Sequence, residues 1–421
     1  MTGNDEVQCE VVVVGGGPAG ASTAWHLAQR GVTVTVLDRA RFPRDKVCAE
    51  YLSPQASRIL AAMGALPVIE QHASQLRGMA IRAPNGGVIY GQFAARHGFH
   101  AFRDRGLGVR RTLLDSTLVE RVRAEGITVR EGVRVTDLLR DATGRVTGVR
   151  ALDDAGHTTH YHAKVVVGAD GLRSVVARRL GLVHSARWPK RLALVAHFRN
   201  VGGVSDVGEL HVERDGYVGI ADVGGDAEQN AHSVINVALV VPAHAARDVA
   251  ADKDAYLTQW LARHPHLGSR FAAATPLEPV RVTGPFAAST RPAWAPGAVL
   301  VGDAADFFDP FTGEGVYSAL RGGELLAPFV EEAVRAESPE GADIALDGYE
   351  RARRAEFSGK WTVERIIGGV IAVPALMNHA ARALSRRRDM ADLLVGVAGD
   401  FVPAREVLRF GYIARLLLFG V

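Results

Sequence analysis

The chain has 421 residues, 48% of them hydrophobic and 23% charged, enough for two or three packed subdomains around a large core. A net charge of +3, with basic residues scattered except for the run Arg386-Arg387-Arg388, argues against a nucleic-acid partner. Two cysteines fit a reducing cytoplasm, and the absence of an apolar signal region or any apolar run of membrane-spanning length argues against secretion and integral membrane insertion.

The first stretch with chemistry runs from Val11 to Asp38. Four consecutive valines, Val11 to Val14, predict a strand buried on both faces. They lead into Gly15, Gly17 and Gly20 in a G-x-G-x-x-G pattern that opens a helix. The first glycine permits a tight turn, the second lets a pyrophosphate approach the backbone, and the third lets helix and strand pack closely. A second strand, 32–37, delivers Asp38 near the spacing of about 20 residues expected of a carboxylate that binds ribose hydroxyls. Strand, turn, helix and acid together predict a dinucleotide-binding βαβ unit; FAD and NAD are equally compatible with this stretch.

A polar loop follows, RARFPRDKVCAEYLSP, and long loops inside compact domains are usually functional. Arg39, Arg44 and Lys46 are candidates to neutralise phosphates or a reduced, anionic cofactor, and Cys48 and Glu50 are candidates to face a ligand. Ordinary loop solvation is the competing reading for the basic residues, and packing for Cys48. Ser53 caps the next predicted helix. Residues 76–102 read as a β-hairpin turning at Asn85-Gly86-Gly87, followed by a segment with His97 and His100, which lack a metal-ligand spacing. An amphipathic helix begins at Arg111, and a meander is expected near 127–130, 133–139 and 146–153.

Strand 164–167 then ends in Gly168-Ala169-Asp170-Gly171, which places a carboxylate at a strand end. Residues 191–241 predict a half-exposed sheet, interrupted by a helix at 252–264. A third signature, VGDAADFFDPFTGEG, carries Asp303, Thr312, Gly313, Glu314 and Gly315 into a helix near Val316, whose free N–H groups suit a negative charge. The region 347–421 is helical and apolar.

GGGPAG, GADGLRS and VGDAADFFDPFTGEG occur in the order and spacing of FAD-dependent oxidoreductases with the p-hydroxybenzoate hydroxylase fold, which the chain resembles to about residue 330. FPRDKVCAEYLSP and DPFTGEGVYSAL are most similar to the geranylgeranyl reductase group, which also holds many flavoenzymes of bacterial secondary metabolism. The resemblance implies an α/β fold: a Rossmann-like FAD-binding domain of residues 1–75, 102–185 and 285–345, an inserted antiparallel substrate sheet of 76–101 and 186–284, and C-terminal helices from 346 to 421. It implies that Gly15, Gly17 and Gly20 bind the FAD pyrophosphate, Asp38 the adenosine ribose, Arg111 the cofactor, Asp170 the pyrophosphate and ribityl chain, and Asp303 the ribityl hydroxyls. Gly313 to Gly315 would lie against the isoalloxazine ring. Asp38 stands where a glutamate is more usual.

Departures narrow the chemistry. The W-x-W-x-I-P motif of flavin halogenases is missing, and Gly-Glu-Gly-Val replaces the Gly-Gln-Gly-x-Asn of aromatic hydroxylases. Gly216-Tyr217-Val218-Gly219 stands where the reductases carry a tyrosine-tryptophan motif. The expectation is an enzyme acting on a bulky, apolar small molecule, first by oxygen insertion through a peroxyflavin, alternatively as a reductase or dehydrogenase by hydride transfer. Halogenation and a non-redox use of FAD rank below both. Cys48, Glu50 and Tyr217 are the candidate substrate-side residues. With no second G-x-G-x-x-G, electrons would come from transiently bound NAD(P)H, a partner flavin reductase or the substrate itself.

Overall fold

The run Val11 to Val14 ends the central strand, Asp5–Val14, of a sheet whose two faces are both covered. Val11 and Val13 belong to the core that includes helices Pro18–Ala28 and Gly315–Arg335, whereas Val12 and Val14 pack under the meander. Strands alternate sides residue by residue, so an unbroken apolar run is what burial on both faces demands. The computed structural model describes residues 5–93, 98–185, 190–225, 233–286 and 288–418, and His97 lies outside them.

The strand order is Trp294–Ala295, Ala298–Leu300, Thr158–Gly168, Asp5–Val14, Val34–Asp38 and Thr128–Glu131, parallel throughout except for the first pair. The meander departs from expectation. Thr128–Glu131 is the sheet edge beside Val34–Asp38; the antiparallel neighbours are Arg134–Arg140, Val146–Leu152 and the first half of Thr158–Gly168. Hydrophobic pattern identifies a strand but not its partner.

Helices Pro18–Ala28 and Gly315–Arg335 cross closely. A methyl group on Gly323 would lie 2.6 Å from the Thr23 backbone nitrogen, and the Ser22 hydroxyl donates to the Leu320 carbonyl at 2.6 Å. That contact holds the two helix N-termini on the same side of the parallel sheet, at the carboxyl ends of its strands.

The second sheet contains Arg191–Arg199, Ile235–Pro242, Gly216–Asp222 and Gly208–Glu213 in antiparallel register, extended by Gly78–Arg82, which runs parallel to Gly208–Glu213, and its hairpin partner Val88–Gln92. It is not half-exposed. Leu192, Leu194, Val218, Val237 and Leu239 face Leu257, Trp260 and Leu261 of helix Lys253–Arg263, which covers the outer surface. The inner face presents Ala193, Val195, Tyr217, Gly219, Ala238 and Val240.

Helix Pro339–Ala372 runs unbroken through the expected boundary at 345/346, and the chain then continues as Pro374–Ser385, Arg388–Ala398, Arg405–Leu408 and Phe410–Leu418. Arg388–Ala398 lies on the hairpin strand Val88–Gln92, where a side chain on Gly91 would meet Val395 at 2.5 Å. Among the described residues no single helix is long and apolar enough to cross a membrane.

Candidate active site

The three glycines of the first turn serve different ends. Gly15 has φ +104, and a Cβ there would sit 2.5 Å from the Ala169 carbonyl oxygen. A Cβ on Gly20 would fall 1.8 Å from the Gly15 oxygen, so this residue lets the helix start hard against its strand. Gly17 is different: its nearest neighbour would be an Arg44 guanidinium nitrogen at 3.4 Å, so the space above it is open. No side chain caps helix Pro18–Ala28, and no acid stands in its first turn. Its free N–H groups therefore face that space as an anion site.

Asp38 lies directly beneath. Its carboxylate accepts from the Gly16 N–H at 2.7 Å and from the Ala40 N–H at 2.8 Å, and it is buried. Asp38 thus holds the turn in shape with both oxygens. Arg39, by contrast, points outward and lines a separate surface hollow with Arg134 and Asp153, apart from the other predicted residues.

Most of the other predicted residues converge on one cleft of about 1190 Å³, its mouth included, between the parallel sheet and the inner face of the second sheet. Gly17, Cys48, Glu50, Arg111, Tyr217, Asp303, Gly313 and Gly315 all line it. Helix Gly315–Arg335 points its uncapped N-terminus at the same cleft, again without an acid in the first turn. Two helix termini thus present positive ends to one space.

Arg111 is buried and clamps Asp115 with two hydrogen bonds of 2.9 and 2.8 Å, while Arg44 reaches the same carboxylate at 3.0 Å. Lys46 stands 3.8 Å from Asp303. Asp170 accepts from the Val175 N–H at 2.6 Å, but its other oxygen is buried without a partner. Burial raises its pKa, against hydrogen bonds that pull the other way.

Two of the three expected substrate-side residues are committed elsewhere. The Glu50 side chain is fully buried: it accepts from the Arg111 N–H at 2.7 Å, meets His197 Nε2 at 2.6 Å and accepts from Asn236 at 3.1 Å. His197 Nδ1 in turn meets Glu278. Glu50 also has φ +59, an unusual conformation for a residue with a side chain. Its carboxylate therefore belongs to the wall behind the cleft, which corrects the expectation that it faces a ligand. Tyr217 donates its hydroxyl to Asp309 at 2.6 Å, and Arg191 donates to the other Asp309 oxygen at 2.5 Å. The tyrosine offers the cleft its ring, and burial pushes its hydroxyl pKa well above 10. Cys48 alone of the three is half-exposed into the cleft, its sulfur accepting weakly from the Glu50 N–H at 3.4 Å.

Tyr51 was not singled out from the sequence. Its ring packs where a Cβ on Gly313, at φ +72, would lie 2.8 Å away, so it forms a wall of the cleft beside the glycine loop. Its position three residues after Cys48 is the available signal. Ala193, Gly219 and Ala238, small residues on neighbouring strands of one face, were legible as a period-two pattern and leave the cleft its width.

A family model described as "FAD binding domain" matches residues 8–359. The chain belongs to that family. It is 30% identical over 404 residues to digeranylgeranylglycerophospholipid reductase 2 of Methanopyrus kandleri, covering 94% of each chain. It is 26% identical to conditioned medium factor receptor 1 of Dictyostelium discoideum over 76% of this chain, and spans 63% of that protein. Among solved structures it is similar to the myxobacterial chondrochloren halogenase CndH, an FAD-dependent enzyme, with a TM-score of 0.78 and 25% identity over 87% of this chain and 83% of the other. The protein is an FAD-dependent oxidoreductase.

The cleft of this flavoprotein fits its cofactor by its own features. The open space over Gly17, two uncapped helix N-termini and the unpartnered Asp170 oxygen are what a diphosphate and a polyol chain would complete. We propose that Gly15, Gly17 and Gly20 would hold the pyrophosphate, Asp170 and Asp303 the ribityl side, and Gly313 and Gly315 the ring. For Asp38, the hydrogen bonds to its own turn make a supporting role at the ribose more apt than a free one.

Proposed function

We propose that this flavoprotein reduces a carbon–carbon double bond in a bulky, apolar small molecule. The observation that carries the reading is the cleft wall. Ala193, Val195, Leu210, Gly219, Ala238 and Val240 form an aliphatic ceiling, and the polar groups nearest it are already paired, Tyr217 with Asp309 and Glu50 with His197. Such a wall takes up apolar surface. The Methanopyrus relative, matched along almost its whole length, is a reductase of a digeranylgeranyl lipid, which supports the same chemistry.

FAD held in this cleft would, when reduced, supply the hydride for one alkene carbon. A proton must reach the other carbon, and Cys48 is the donor this reading assigns, its thiol lining the cleft beside the Arg111 guanidinium and the Glu50 N–H. Water re-protonates it after turnover. The uncapped N-terminus of helix Gly315–Arg335 would favour negative charge on a ring held against it. NAD(P)H is the proposed electron source.

Oxygen insertion, the first expectation from sequence, is the second reading. Turnover under isotopically heavy oxygen separates the two. The reductase reading expects a product with two added hydrogens and no heavy oxygen; label in the product contradicts it.

A further inference from the structure

The last helix, Phe410–Leu418, is apolar on two sides. Tyr412 and Leu416, one turn apart, pack inward against the cluster that holds Tyr51, Tyr217 and Phe311. Tyr412 donates to the Met390 carbonyl at 3.0 Å, and the Leu416 carbonyl meets His379 Nε2 at 3.0 Å, so the helix is fixed to its neighbours. The opposite side bears Phe410, 86% exposed, Ile413 and Leu417, 60% exposed, at i, i+3 and i+7, with Leu418 beside them at 71%. Leu376, also exposed, lies one turn from His379 on the adjoining helix and extends the patch.

The exposed charge around this face is basic. From 361 to 418 the chain carries eight arginines against five carboxylates. Seven of those arginines are exposed, Arg405, Arg409 and Arg415 nearest the patch, whereas no carboxylate is: Asp392, Glu406 and the Asp400 side chain are buried, and Glu364 and Asp389 are half-buried. Arg409 spends part of its charge on Glu406 at 2.8 Å.

We propose that this face docks on an anionic lipid bilayer, with Phe410–Leu418 lying in the interface. An interfacial helix buries an apolar side in the acyl boundary while arginines reach the headgroups, the combination found here. Large exposed apolar side chains are rarely left in contact with water, and an acidic protein would answer the arginines but not Phe410 and Leu417. The inference stands apart from the proposed reaction, because it concerns the outer side of the helix.

The test is flotation of the full FAD-loaded chain with vesicles of phosphatidylcholine and phosphatidylglycerol in equal parts, and with phosphatidylcholine alone. Binding to the anionic vesicles that weakens in high salt is expected, and Phe410→Ser with Leu417→Ser lowers it at least about tenfold. Flavin absorbance of the double variant reports that the chain remains folded. In a second measurement, Phe410→Trp keeps the face apolar, and its fluorescence is quenched by lipids brominated in the acyl chain. No partition to either vesicle, unchanged partition of the double variant, or absence of quenching overturns the proposal. So does a dimer that Phe410→Ser and Leu417→Ser abolish without any vesicle binding, or retention on an acidic polypeptide alone.

Discussion

Tyr217 and Asp309 share a 2.6 Å hydrogen bond that joins the second sheet to the loop preceding helix Gly315–Arg335. Asp309 is buried, with Arg191 at 2.5 Å on its other oxygen and the Phe311 N–H at 3.1 Å. The two walls of the cleft are thus held at a fixed separation by three side chains from distant parts of the chain.

Removing one member of this group has a predictable rank. Tyr217→Phe deletes one hydrogen bond to a charged, buried acceptor and should cost about 1.5–3 kcal/mol. Arg191→Met leaves Asp309 as an uncompensated buried charge and should cost about 3–5 kcal/mol. Urea unfolding of the two variants measures both; a larger loss for Tyr217→Phe would contradict the pairing described.

Glu50→Gln tests whether that carboxylate moves protons. Because its oxygens serve the Arg111 N–H, His197 and Asn236, the substitution should lower stability by about 1–3 kcal/mol and leave the shape of the pH–rate profile unchanged. Loss of one limb of that profile would return Glu50 to the reaction.

The first-turn glycines should separate by consequence. Gly20→Ala places a methyl 1.8 Å from the Gly15 oxygen and should prevent the native strand-to-helix turn, giving little folded protein. Gly17→Ala meets only Arg44 at 3.4 Å, so the chain should fold while binding FAD roughly tenfold more weakly, about 1.4 kcal/mol. Circular dichroism and flavin titration distinguish the two, and equal FAD affinity of Gly17→Ala and the parent would remove the pyrophosphate from this turn.

Acid should weaken the contact between the helices Ala56–Ala62 and Gly315–Arg335. Burial alone would raise the pKa of Glu324, yet the hydrogen bonds from Arg58 and Arg321 hold it down at about 2. In the unfolded chain it titrates near 4.5. The folded state therefore binds fewer protons between these values, so this contribution, reduced by solvent screening of the half-exposed pair, is complete above pH 4.5 and is lost as pH falls toward 2. Glu324→Gln should flatten the fall in stability over that window. An unchanged slope would show that other carboxylates set it.

The half of the cleft built on the first glycine turn is legible in the sequence because its signals are local. A buried valine run, a glycine turn and a helix follow one another within Val11 to Ala28, and Asp303 sits at the end of its own short strand. The substrate half was not, because its decisive contacts are remote. Arg191 and Asp309 are 118 residues apart, and nothing near Glu50 in the chain announces that His197 and Asn236 will take its carboxylate. Alternation in the 191–241 strands was read as one solvated face. The helix that covers that face, Lys253–Arg263, was recognised as a helix, but the surface it would bury was not. Arg39, next to Asp38 in the chain, is exposed and lines a surface hollow with Arg134 and Asp153.

The most direct test of hydride transfer to an apolar alkene is made without oxygen. The FAD-loaded protein is reduced and mixed with an excess of a long polyprenyl alkene while flavin absorbance is followed. Return of the oxidised flavin spectrum in step with a product heavier by two hydrogens is the predicted result. A spectrum that stays reduced with every such alkene until oxygen is admitted, and then passes through a transient band distinct from both oxidised and reduced flavin, would contradict the reductase account and establish oxygen activation in its place.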